Sequence, residues 1–313
     1  MSGIVGFFTK NRTADTIGVL QRMLTQIKHR GSYYNGVFVS DFVGLGEGLS
    51  SSAFKKMNKS PLSNQDETLW IVWSGTVFNH IDLQSKLLSR GRQLKTSSDA
   101  ELILSLYQDY GEDCLTMING QFAFSIWDTT KNELFLARDR MGICPLYYSM
   151  SNNGVVFASE IKALFEYPQL TPNISAKSLA QITTFWATLT PNTVFEGVSE
   201  LSPGHYLKLN SDGMQTKSYW EFPLFHPKEY SQYNLEQSIN QFDELFSDAV
   251  AIRTQQAEPF GAYLSGGIYS SVTTSYIKEL HPNLNLETFS IGFSDPDFDE
   301  SAYQDISVDY YKT

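Results

Sequence analysis

The sequence predicts an α+β domain, with helices laid on the outer faces of its sheets, followed by a smaller α/β unit on a parallel sheet. Three observations carry this. The 313 residues suffice for about two domains and, at 42% hydrophobic and 14% aromatic, are rich enough for full cores. Up to residue 210, short strand-like and helix-like segments follow one another closely, an order that sheets covered by helices satisfy most simply. From Asn234 onward, a long amphipathic segment leads into an apolar run, a Ser-Gly-Gly turn and a second helix, the beginning of a β-α-β-α unit.

Taken in order, Ile4 to Phe8 is an apolar strand, and Asp15 to Lys28 carries Ile17, Leu20, Leu24 and Ile27 at the three-and-four spacing of an amphipathic helix. His29-Arg30-Gly31-Ser32 breaks it. Gly36 to Val39 and Val43 to Gly48 pair around a turn at Ser40-Asp41, and Leu69 to Trp73 is a buried strand. Helices are expected at Ile81 to Leu88 and at Asp99 to Tyr110, the latter capped by Ser97 or Ser98 and stopped at Gly111. Gln121 to Trp127, Leu134 to Arg138, Leu146 to Tyr148 and Val155 to Ala158 read as four short strands. Phe222 to Pro227 is a proline-punctuated linker. Asn234 with Gln237 forms a capping box for a helix whose face Leu235, Ile239, Phe242, Phe246 and Ala249 is expected to pack into a core.

Composition excludes several classes. No apolar run reaches the roughly 18 residues of a membrane span, no basic stretch precedes an apolar one as in a secretory signal, and the chain reads as cytoplasmic. Cys114 and Cys144 lack a C-x-x-C spacing, so neither a zinc site nor a disulfide framework is indicated. A net charge of −11 opposes nucleic acid and favours small-molecule or protein partners.

Two stretches bear on chemistry. Met1-Ser2-Gly3-Ile4 places a hydroxyl at the second residue. With Met1 removed, Ser2 carries nucleophile and α-amine on one carbon, and an amine of pKa about 7.7–8 can serve as its base. Equally, Ser is a common second residue before an ordinary buried strand. Downstream, Gly261-Ala262-Tyr263-Leu264 runs into Ser265-Gly266-Gly267 and a helix, a layout that turns backbone N–H groups and a helix N-terminus toward a phosphate. A plain structural turn reads the same way.

Several strings occur in one order: Met1-Ser2-Gly3-Ile4-Val5-Gly6, His29-Arg30-Gly31, Gly44-Leu45-Gly46, Asn79-His80, Ser98-Asp99-Ala100-Glu101, Asn119-Gly120-Gln121-Phe122, Ala137-Arg138-Asp139-Arg140-Met141-Gly142, Pro145-Leu146-Tyr147-Tyr148 and Phe157-Ala158-Ser159-Glu160. The chain resembles the asparagine synthetase family over nearly its whole length. The resemblance implies a class II glutamine amidotransferase-like domain at residues 1–210, a four-layer αββα fold with an N-terminal nucleophile between two sheets. A linker at 211–233 and a partial ATP-pyrophosphatase-like synthetase domain at 234–313 would follow.

The resemblance also marks departures. The family's nucleophilic Cys is Ser2 here, and its Asn-Gly-Glu, which lines the oxyanion hole and holds the substrate amine, is Ser74-Gly75-Thr76. The Arg that binds the glutamine carboxylate is absent from Gly46-Glu47-Gly48-Leu49-Ser50, where Glu47 is expected to repel that carboxylate. Asp99, the family's second contact for the amine, is kept. Four changes at one pocket imply loss of glutaminase activity. In the synthetase domain, Leu264 and Ile291 would flank adenine, while Ser265, Gly266, Gly267, Ser270 and Ser271 would cradle pyrophosphate. Tyr269 replaces the motif's Asp, which helps hold Mg²⁺; a phenol of pKa about 10 cannot replace it near neutral pH, and its ring is expected to crowd the loop. Asp295, Asp297, Asp299 and Glu300 are the remaining acidic candidates. ATP and Mg²⁺ are therefore implied by resemblance but disfavoured by residue 269, and no metal ligand set is expected.

Strands Gly261 to Leu264 and Glu287 to Phe293 would lie parallel in a truncated sheet, whose open edges invite a second chain. The reading that fits every departure is a non-catalytic, asparagine synthetase-like protein that supports a complete paralogue or the missing synthetase half, or that self-associates. The alternatives are an active glutamine-hydrolysing asparagine synthetase, or an ATP-dependent amide-forming relative that has lost only its glutaminase.

Overall fold

A computed structural model describes residues 2–10, 15–151, 154–224, 234–255 and 260–313. The chain divides into two units, Met1–Pro223 and Leu224–Thr313. Within the first, β1 (Gly3–Thr9) leads to α1 (Thr16–Gln26), the hairpin β2 (Tyr34–Val39) and β3 (Val43–Leu49), and α2 (Ser51–Met57). Then come β4 (Leu62–Ser63), β5 (Leu69–Val77), α3 (His80–Ser89), α4 (Asp99–Tyr110) and α5 (Cys114–Met117). Strands β6 (Gly120–Asp128), β7 (Glu133–Arg138), β8 (Tyr147–Ser151) and β9 (Gly154–Ala158) precede α6 (Ile161–Leu164), α7 (Ala176–Phe185), β10 (Val198–Glu200), β11 (His205–Asn210) and β12 (Gly213–Ser218).

Local signals explain the better-defined elements. Asp15 accepts from the Gly18 N–H to start α1, and Val19, Leu20, Met23 and Leu24 bury one face of it. Ser98 caps α4 through the Glu101 N–H, and Gly111, at φ 59°, stops it.

The strands form two antiparallel six-stranded sheets, ordered β10-β8-β9-β1-β3-β2 and β12-β11-β7-β6-β5-β4. The period of two along β1 sorts its side chains: Ile4 and Phe8 join Val72, Ala123, Leu136 and Leu207 between the sheets, while Val5 and Phe7 join Val19, Leu20, Met23 and Leu24 of α1 outside. The far face of the second sheet packs Ile71, Phe124, Ile126 and Phe135 against Leu83, Leu87, Leu102 and Leu106 of α3 and α4. The layers therefore read helix, sheet, sheet, helix, the αββα order that the resemblance implied. Each fully buried large apolar side chain contributes roughly 1.5–3 kcal/mol.

β12 falls within the stretch expected to be linker. Its six residues are all exposed, so no alternation announces it, yet its backbone pairs with β11 from Gly213 against Asn210 to Ser218 against His205. Phe225, His226 and Pro227 of the expected linker lie outside the described residues.

The second unit runs α8 (Leu235–Thr254), β13 (Gly261–Tyr263), α9 (Ile268–Leu280), β14 (Glu287–Phe289) and α10 (Ser301–Tyr311). Both halves of the Asn234–Gln237 capping box are made. β13 and β14 pair in parallel, with Gly261 opposite Glu287. The strand expected to reach Phe293 ends at Phe289, because beyond it the chain is held by Asp299, which accepts from the Phe293 N–H. Val250, Ala262, Ile277 and Leu286 form a small core, with Phe246 edge-on to Tyr276 at 4.9 Å. The expected core face of α8 is only half realised: Leu235 is 78%, Ile239 56% and Phe242 59% exposed. Among the described residues, no helix is long and apolar enough to cross a membrane.

Candidate active site

Ser2 stands where β1 enters the sandwich and is buried. Its backbone carbonyl accepts the Ser74 hydroxyl at 2.7 Å and the Arg30 Nε–H at 3.4 Å. Two residues further, the Ile4 N–H donates to Ser159 Oγ at 3.0 Å and the Ser159 N–H returns to the Ile4 carbonyl at 2.8 Å. Both sheets thus hold the start of the chain, Ser74 from β5 and Ser159 from the end of β9. Met1, on whose removal the amine half of the N-terminal-serine reading depends, lies outside the described residues.

The expected glutamine-binding residues Ser74, Gly75 and Thr76 follow one another along β5, opposite Ala123, Phe122 and Gln121 of β6. Position 75 must be glycine: its φ is 153°, and a Cβ there would sit 2.2 Å from the Gln121 carbonyl oxygen. Asp99, the first residue of α4, is tied to the end of β5. Its Oδ2 accepts the Val77 N–H at 3.0 Å, and its Oδ1 lies 2.7 Å from His80 Nδ1. The structure therefore brings Ser2 to Ser74 and Asp99 to the residue after Thr76. A serine hydroxyl has a single proton to donate, and that of Ser74 goes to the Ser2 carbonyl.

Glu47 requires a correction. It lies on β3 opposite Ile4, fully buried, with Ser60 Oγ donating to it at 2.5 Å. Burial pushes its carboxyl up to about 8, against the smaller opposing pulls of Ser60 and the Trp73 backbone. Near neutral pH it is predominantly the uncharged acid, so it does not repel a carboxylate by charge as the sequence suggested; desolvation outweighs ionisation. Glu160 gathers the ionisable groups His29, Arg30 and Lys162 beside it. Glu160 lies 2.6 Å from His29, 3.4 Å from Arg30 and 3.1 Å from Lys162. Burial works to raise the Glu160 carboxyl, but its bonds to Lys162 and His29 and their charge hold it below the usual range.

Arg30, Ser159 and Ser60 are the site residues that the sequence reading missed. Arg30 and Ser159 sit inside quoted strings, His29-Arg30-Gly31 and Phe157-Ala158-Ser159-Glu160, so a signal existed without a role attached. Ser60 had none.

In the second unit, the expected phosphate cradle closes on itself. Ser270 Oγ accepts the Ser265 N–H at 3.1 Å and lies 3.1 Å from Ser265 Oγ, which in turn accepts the Gly267 N–H at 3.4 Å. Gly266, at φ 79°, abuts Tyr303 of α10, and Ser271 Oγ is 3.4 Å from Ser307 Oγ. Leu264 is buried and Ile291 68% exposed. Tyr269 is 88% exposed and lines a cleft of about 490 Å³ beside β13, α8 and α9; it points out of the loop rather than crowding it. Asp299 is occupied by the Phe293 N–H and Ser301 Oγ, and no three metal-binding side chains converge among the described residues. The residues present do not fit Mg-ATP as the motif would hold it: two loop amides are internally bonded, and residue 269 supplies no carboxylate.

Residues 1–220 match the glutamine amidotransferase domain model and residues 241–313 the asparagine synthase model. Asparagine synthetase [glutamine-hydrolyzing] 1 of Bacillus subtilis is 36% identical over 304 residues, 96% of this chain and 47% of its own length. A putative asparagine synthetase of Methanocaldococcus jannaschii is 31% identical over 94% of this chain and 60% of its own length. The chain thus spans about half the length of the curated relatives it matches. In fold, it is similar to glutamine phosphoribosylpyrophosphate amidotransferase from B. subtilis, with a TM-score of 0.51 at 18% identity, covering 92% of this chain and 65% of that one. A structure described as the allosteric regulatory enzyme of purine biosynthesis gives 0.52 at 18% identity, over 92% and 64%. The chain therefore belongs to the glutamine amidotransferase family and is asparagine synthetase-like, with the amidotransferase domain forming its first unit.

Proposed function

We propose that this chain is a non-catalytic asparagine synthetase-like protein, degenerate at both active sites, that supports a complete partner enzyme in the cytoplasm. The observation that carries the reading is the Ser74 hydroxyl, committed to the Ser2 carbonyl where the family places an amide donor for the oxyanion. Donors to a developing oxyanion are worth roughly 10²–10³ in turnover each, and the weaker nucleophile Ser2 adds to that loss.

Asparagine synthetases use ATP and Mg²⁺, and the internally bonded loop around Ser265 and Ser270 supports the same reading for the second unit. Titration calorimetry with Mg-ATP is expected to show no saturable heat. Micromolar binding that disappears with EDTA would contradict this and favour the alternative, an ATP-dependent amide-forming relative that has lost only its glutaminase.

Support for a protein partner comes from the exposed Leu235, Ile239 and Phe242 of α8 and from a sheet of two strands, β13 and β14, whose outer edges pair with nothing among the described residues. Light scattering is expected to find an oligomer; failing that, hydrogen exchange is expected to be rapid beyond residue 260 and slow up to residue 210. A strict monomer protected uniformly through Thr313 would contradict the partner reading.

A further inference from the structure

Glu47 is an ionisable group that neither domain's chemistry uses. It belongs to β3 of the first sheet, yet its bonding partners come from the second. Ser60 Oγ, two residues before β4, donates to its Oε2, and the Trp73 main chain of β5 also reaches its carboxyl. The Ser60 segment crosses to the first sheet as well: a Cβ on Gly36 of β2 would fall 1.7 Å from the Ser60 carbonyl oxygen. Glu47 Oε1 is buried with no hydrogen-bond partner among the described residues. The next residue along β3, Gly48, pairs with Gly3, which adjoins Ser2.

No charge in the surrounding elements compensates an ionised Glu47. β1 and β5 carry no ionisable side chain, and β3 carries no other. β2 contributes only Tyr34, and the Ser60 segment only Lys59, which is exposed. The cationic or ionisable side chains of the other elements packed on β3 are engaged elsewhere or exposed: Arg22 of α1 pairs with Asp15, His29 and Arg30 of the Lys28–Arg30 turn pair with Glu160, and Lys28 is exposed. A carboxylate in this position would have one hydroxyl and one stretch of main chain to replace its water, which costs far more than they return.

We propose that Glu47 and Ser60 form a proton-operated latch between the two sheets, which holds the Ser60 segment and β5 against β3 beside Ser2 while the carboxyl is neutral and releases them when it ionises. The closed latch keeps its proton up to about pH 8, whereas the opened, hydrated carboxyl loses it near 4.5. Between those values opening releases a proton, so the open fraction grows about tenfold per pH unit, and it levels off above the upper one. Below pH 4.5 both forms are protonated and the latch is at its tightest.

Hydrogen exchange against pH reads this directly. Intrinsic amide exchange already rises about tenfold per pH unit, so between pH 5 and 8 the peptides spanning Glu47, Ser60 and Trp73 are expected to rise about a hundredfold per unit. Peptides from α1 are expected to rise only tenfold. In Glu47→Gln the latch peptides are expected to fall back to tenfold. Should that variant not fold, Ser60→Ala serves instead: it keeps the acid, removes its partner, and is expected to exchange faster at every pH with the steep slope intact. A tenfold slope in the unmodified protein, an equally steep slope in α1, or Ser60→Ala exchange no faster than the unmodified protein would each overturn the latch. A carbon-13 carboxyl resonance absent from Glu47→Gln and titrating near pH 8 would support it; titration of that resonance near pH 4.5 would overturn it.

Discussion

Purified protein is expected to release ammonia from L-glutamine no faster than its Ser2→Ala variant. The nucleophile is a hydroxyl, the Ser74 proton is spent on the Ser2 carbonyl, and each oxygen of Asp99 already has a partner, in the Val77 amide and His80. The missing oxyanion donor alone lowers turnover by roughly 10²–10³. Ser2→Cys by itself is expected to leave the rate at background, since it restores the nucleophile and none of the groups that bind the amide. A rate abolished by Ser2→Ala would revive an N-terminal serine working with its own amine.

Asp139→Ala is expected to cost roughly 3–5 kcal/mol of folding stability, far more than an ordinary surface change. Asp139 is buried at the end of β7. Its carboxylate accepts four backbone N–H groups, from Phe122 at 3.1 Å, Met141 at 3.1 Å, Ile143 at 3.0 Å and Cys144 at 3.0 Å. Beside it, Arg138 donates to the Cys144, Leu201 and Gly142 carbonyls and pairs with Glu200 at 2.6 Å. Alanine would strand all four amides and loosen the turn on which Arg138 closes. Asp139→Asn keeps one acceptor and is expected to fall between. Urea unfolding checks both, and a loss below about 1 kcal/mol for Asp139→Ala would show that water readily replaces the carboxylate. The motif Ala137 to Gly142 is then a structural device of the αββα fold, independent of whether the chain is a catalyst.

What the sequence made legible was whatever is local. The three-and-four spacing in α1, the serine cap and Gly111 stop of α4, and the apolar run of β1 each show in a few neighbouring residues. What it hid depends on distant parts of the chain. β12 is polar and wholly exposed, so only its backbone pairing with β11 makes it a strand. Glu47 looks like a charge until the second sheet covers it, and Tyr269 looks like an obstruction until the loop turns it outward. The contacts of Ser2 come from Arg30 and Ser74, 28 and 72 positions away, and Ile4, two residues on, is held by Ser159 at 155 positions. No spacing rule reaches that far. The resemblance supplied several of these positions, but not that Ser74 would turn its proton onto the chain itself.

The most direct test of a degenerate amidase pocket is covalent labelling with an electrophilic glutamine analogue, a γ-diazoketone or chloroketone, read as an intact mass and located by peptide mapping. Such a reagent must be bound as glutamine and attacked by the nucleophile, so it reports on recognition and reactivity together. The account predicts unmodified protein after prolonged exposure, with Ser2→Ala indistinguishable from it. A stoichiometric adduct on Ser2, suppressed by excess L-glutamine, would contradict it.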